Sequence, residues 1–140
     1  MNLFEAVGLR AGLYFMRNVV IYVNDAELAE IAALGIRLAA GWNVDIVQNL
    51  AGLPGVLNSR FVYAILNIAL HSSASDLRDL RDLQCMAAAY STPVVVLTQE
   101  PYLFEQLRGC DLLTVCNAFD PLLLSSMITE ALESRAAASA

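Results

Sequence analysis

The run Phe61-Val62-Tyr63-Ala64-Ile65-Leu66-Asn67-Ile68-Ala69-Leu70 constrains this chain more than any other stretch. It is apolar apart from one amide, and polar and apolar positions do not alternate along it. A strand of this kind is covered on both faces, whereas a strand with one wet face alternates. Sheets covered on both faces are mostly parallel, and their chemistry sits just beyond the carboxyl ends of the strands. Asn67 is therefore placed where a reactive group would be, although an amide is neither a nucleophile nor a charged metal ligand.

The rest of the chain supplies the neighbours that such a strand needs. Val19-Val20-Ile21-Tyr22-Val23 is a β-branched run read as a first strand, and it ends at Asn24-Asp25, good helix-capping residues. A helix follows to about Ala40, with Leu28, Ile31, Gly35 and Leu38 expected on its inward face and Gly41 as its stop. Val44–Val47 is a short second strand. Leu50 to Ser59 reads as a weak helix or loop, because Gly52, Pro54 and Gly55 interrupt it.

After the Phe61–Leu70 strand comes the polar loop His71–Ser75 and a helix from Asp76 to about Tyr90. The spacing of Ser73 and Asp76 resembles a capping box, and Arg78 with Asp82 suits an i,i+4 pair. Thr92–Thr98 is a fourth strand entered through Pro93, Glu100–Arg108 a short helix, and Leu112–Val115 a fifth strand. Asp120-Pro121 opens a last helix that runs to about Arg135.

Five strands alternating with helices, under the rule of right-handed crossovers, give an α/β fold: a doubly wound parallel sheet with helices on both faces. Residues 18–135 form that domain and 136–140 a tail. Residues 1–17 are an extension whose apolar spacing at Phe4, Val7, Ala11 and Tyr14 predicts a short amphipathic helix.

Composition narrows the function classes. Hydrophobic residues make up 58% and charged residues 16% of the chain, the latter below the roughly 25% usual for a soluble domain. The net charge of −6, with only eight Lys and Arg, argues against direct nucleic-acid binding by this segment. Cys85, Cys110 and Cys116 show no CxxC or CxxH spacing, so they are expected to be small buried side chains in a reducing cytoplasm, with no structural metal. No apolar run approaches the ~20 residues of a membrane span.

The ends of strands one, three, four and five carry Asn24-Asp25, Asn67, Thr98 and Asn117. With Val94-Val95-Val96-Leu97-Thr98 and Asn117-Ala118-Phe119-Asp120-Pro121, this spacing resembles the receiver domain of bacterial two-component response regulators, the CheY- or flavodoxin-like fold. The resemblance spans about Asn18 to Arg135. It implies that Asn24 and Asp25 match the family's acidic pair and Asn67 its phosphate-accepting aspartate. Thr98 then matches the Ser or Thr that ends the fourth strand, and Asn117 the lysine that ends the fifth.

The departures have chemical consequences. Phosphoryl transfer to a side chain needs an anionic oxygen, and Asn67 offers a neutral one. A hard divalent cation prefers carboxylates, and the site supplies Asp25 alone where the family has three acids. Asn117 removes the positive charge that would stabilise the migrating group. The pocket of Asn24, Asp25, Asn67, Thr98 and Asn117 thus reads as a phosphorylation site neutralised at several positions together, with no cofactor. Asn24, Asp25 and Asn67 can equally be helix caps and loop-satisfying groups. His71 has no nearby Cys or acid, and no base stands ready to activate Ser72, Ser73 or Ser75.

With that site silent, function is expected on surfaces. Leu122-Leu123-Leu124 spans more of a helix than one inward stripe needs. Tyr102, Phe104, Leu113, Leu122, Leu123 and Met127 form the expected dimer or partner face, which the resemblance also implies. The leading expectation is a phosphorylation-independent, non-enzymatic interaction module in signalling or transcription regulation, acting as a homodimer or with another signalling protein. A small-molecule sensor using the neutralised pocket is the alternative. An enzyme is disfavoured, since neither GxGxxG nor GxxxxGK[ST] is present.

Overall fold

The computed structural model describes residues 17–69, 74–99, 112–116 and 119–139. The expected N-terminal helix, the His71 loop segment and the Glu100–Arg108 helix lie outside the described residues.

Strand β1, Asn18–Tyr22, is built from β-branched residues and ends where Asp25 caps helix α1, Ala26–Ala40. The Asp25 carboxylate accepts from the Leu28 N–H at 3.1 Å, which satisfies one of the free donors of the first turn. Gly41 ends α1 at φ 69°, the left-handed conformation that glycine adopts without Cβ strain, and its N–H bonds the Arg37 carbonyl. Strand β2, Asn43–Val47, is followed by a 3-10 turn, Leu50–Gly52, and a short helix α2, Leu53–Ser59.

Strand β3 is Ala64–Ala69, shorter than the run that encodes it. The Tyr63 N–H bonds the Asn18 carbonyl at 2.7 Å and leads the chain into the sheet, while Phe61 stays 82% exposed. Helix α3, Ala74–Ala89, leads to β4, Val94–Thr98, and β5 is Leu112–Cys116. A 3-10 turn, Pro121–Leu123, capped by the Asp120 side chain on the Leu122 N–H, opens helix α4, Leu124–Ser139.

The sheet is parallel throughout, in the order β2-β1-β3-β4-β5. Because side chains alternate along a strand, each strand feeds two cores. Val19, Ile21, Ala64, Leu66 and Val95 pack under α1 and α4. Val20, Tyr22, Ile65, Val94 and Val96 pack under α2 and α3. Each fully buried aliphatic side chain contributes about 1.5–3 kcal/mol.

Two expectations are corrected here. The buried face of α1 is Ala29, Ala32, Ala33, Gly35 and Ile36, whereas Ile31 and Leu38 are 44% and 70% exposed. The reason is close approach: a Cβ on Gly35 would run into the Pro121 carbonyl group, so backbone meets backbone there. Small residues let the helix sit low on the sheet, and the larger aliphatic side chains are rotated outward. Cys85 is exposed as a free thiol, not buried, because it lies on the outer side of α3 between inward-facing Leu83 and Ala87.

Candidate functional site

The carboxyl ends of β1, β3 and β4 bring Tyr22, Asn67 and Thr98 to one edge of the sheet. Tyr22 is in register with Asn67, and Thr98 with Ala69. Asn67 is half-buried on the α2–α3 side, and its Nδ2 donates to the Tyr22 carbonyl oxygen at 2.8 Å. Asp25 is exposed, with its carboxylate turned back onto α1 as the N-cap, and Asn24 beside it is exposed. Thr98 is wholly buried. Asn117 lies outside the described residues.

Tyr22 ties this edge to α3. Its hydroxyl donates to the Asp79 carboxylate, at 3.0 Å to Oδ1 and 3.2 Å to Oδ2. Burial raises the phenol's pKa well above the ordinary value of 10, and the hydrogen bond to Asp79 and the negative charges of Asp79 and Asp82 add to the rise. One residue thus accepts from Asn67 through its backbone and donates to Asp79 through its side chain. The sequence pattern held no sign of this link, because Tyr22 reads simply as a β-former.

The donor set does not fit a divalent cation. Asp25 is the one carboxylate among Asn24, Asp25 and Asn67, and it is engaged as a cap. Asn67 turns its NH₂ group to the backbone. Among the described residues, no three His, Cys, Asp or Glu side chains are grouped as a metal site would require.

A second cluster missed by sequence reading lies at the opposite end of the strands. Trp42, just before β2, and Tyr63, just before β3, meet edge to face at 5.7 Å between centroids. The Arg17 guanidinium lies over both rings, 4.0 Å from the Tyr63 centroid and 5.5 Å from that of Trp42. The arrangement joins three strand entrances by cation–π and aromatic contacts.

The surface expected to carry partners divides. Leu122 and Leu123 are 56% and 52% exposed. Met127 belongs to the core under α4, because it faces the sheet one turn after buried Leu124. Leu113 lies in β5, and Tyr102 and Phe104 fall outside the described residues. No described helix is long and apolar enough to cross a membrane.

No family model and no curated protein matches the sequence. Solved structures do match. A sensor protein from Polaromonas sp. JS666 is 17% identical at a TM-score of 0.65, over 84% of this chain and 97% of that one. The chemotaxis response regulator CheY4 of Vibrio cholerae is 12% identical at 0.60, over 83% and 98%. The anti-anti-sigma factor PhyR from Bartonella quintana is 16% identical at 0.67, over 98% of this chain and 56% of PhyR. At these identities the likeness establishes the fold: this chain has the α/β architecture of a CheY-like receiver domain.

Proposed function

We propose that this domain is a receiver-like module of bacterial signalling or transcription control that works through protein contacts and without phosphorylation. The observation that carries the reading is the Asn67 side chain. It stands at the acceptor position and is committed to the Tyr22 carbonyl as a donor, a role that a carboxylate cannot fill at neutral pH. Asp25 supports it, since its charge serves a helix terminus. The structural neighbours include a response regulator and an anti-anti-sigma factor, both consistent with a regulatory setting. Exposed aliphatic side chains give such a module a surface to work with.

The reading is tested by measuring molar mass against concentration by light scattering, with and without acetyl phosphate and Mg²⁺. Self-association that is the same in both conditions is expected. A shift in the association curve on adding the phosphodonor would overturn it.

A further inference from the structure

We infer that the outer face of α1 pairs with α1 of a second copy, antiparallel across a two-fold axis. The inference rests on the reading of the domain as an interaction module and names the occupant of its surface. Ile31, Leu34 and Leu38 are 44%, 55% and 70% exposed. Their spacing, three residues then four, is that of the a, d and a positions of a coiled-coil seam. The seam points away from the sheet, because the core-facing side of the same helix is Ala29, Ala32, Ala33 and Ile36.

One flank of the seam is apolar. Gly35 occupies the e position and lies against Pro121, which sets Leu122 and Leu123 of the 3-10 turn beside α1. Together the five exposed aliphatic side chains present on the order of 500 Å² per copy. Two copies therefore remove about 1,000 Å² from water before any flanking residue is counted, the lower bound of a specific but weak interface.

The other flank sets the direction. Glu30 and Arg37 are one heptad apart, both at the g position and both exposed. In a parallel pair g faces e, and Glu30 would meet Gly35. In an antiparallel pair g faces g, so with the axis between Ala33 and Leu34 each Glu30 meets Arg37 of the second copy. Arg37 gives one nitrogen to the Val44 carbonyl at 3.1 Å and keeps other N–H donors for that contact. Glu27, one heptad before Leu34 and exposed, falls by this pairing opposite Ala40, the last residue of the second copy's helix, where it stays in water.

The experiment is sedimentation equilibrium of the full chain from about 1 to 200 µM, a range suited to a weak interface. Circular dichroism of each variant establishes that it is folded, which is expected since every substituted side chain is exposed. The wild type is expected to pass from monomer to dimer. Leu34→Glu should abolish the dimer within this range. Glu30→Arg and Arg37→Glu should each weaken it several-fold, and the double variant should recover it. A wild type that stays monomeric, or a dimer that survives Leu34→Glu, would overturn the inference. So would a double variant no better than the singles. Intact mass after phosphodonor treatment is read separately: a phosphoryl adduct defeats the reading of the site, and a loss of dimer only in Leu34→Glu upholds the interface whatever the mass.

Discussion

The Asn67 side chain on β3 donates to the backbone carbonyl of Tyr22, its register neighbour on β1, at 2.8 Å. The bond braces β1 against β3, and in the reading proposed above it occupies the acceptor position. Placing an acid at this position is therefore predicted to damage the fold. In Asn67→Asp, a carboxylate without a proton faces a carbonyl oxygen, at a cost of about 1–3 kcal/mol. Urea denaturation should show that loss at neutral pH. The gap should narrow as pH falls toward about 4 and change no further below it. The folded carboxyl, disfavoured as an anion here, takes up a proton above its unfolded value and can donate again.

Tyr22 gives a pH signature. Its phenol is held protonated in the folded chain well above its ordinary value of 10, first by burial and then by Asp79. A raised folded-state pKa contributes stability that is present below the unfolded value and lost as pH climbs through the folded one. Wild-type stability should accordingly begin to fall above about pH 10. Tyr22→Phe should lose about 1–2 kcal/mol at neutral pH, from the hydrogen bond to a charged acceptor, and its alkaline decline should be flatter.

Glycine substitutions separate packing from propensity. Alanine gains about 1 kcal/mol over glycine within a helix, yet Gly35→Ala drives a methyl into the Pro121 carbonyl group. A net loss of about 2–3 kcal/mol is expected from the overpacking. Gly55→Ala on α2 meets nothing within 4 Å and should be neutral or stabilising by up to ~1 kcal/mol. Gly41→Ala, at φ 69°, should cost about 1 kcal/mol. Thermal denaturation of the three ranks them.

Trp42 is the single tryptophan and is 4% exposed, beside Tyr63 and Arg17. Its emission should be blue-shifted in the folded chain and should report unfolding of the strand entrances. Arg17→Ala removes the cation over Tyr63 and is expected to cost about 0.5–1 kcal/mol, with a small change in emission before the main transition.

Much of the architecture is written locally. The strand cores at Val19–Tyr22 and Val94–Leu97, the cap at Asp25, the stop at Gly41 and the opening at Asp120 each follow from short-range chemistry. What was not legible depends on contacts between distant segments. The inward face of α1 is chosen by its approach to Pro121, some 86 residues later (121 − 35), so apolar spacing alone placed Ile31 and Leu38 on the wrong side. The start of β3 at Ala64 is fixed by a bond from Tyr63 to Asn18. Asn67 was identifiable as an amide at a strand end, but its partner becomes visible only once the β1–β3 register is known.

Asn67 and its surroundings are expected not to accept a phosphoryl group. Intact-mass measurement after incubation with acetyl phosphate and Mg²⁺, alongside a phosphorylatable receiver as control, tests it directly. An unchanged mass for this chain is the predicted result. An added mass of about 80 Da, one phosphoryl group, mapped by fragmentation to the ends of β1, β3 or β4, would contradict it.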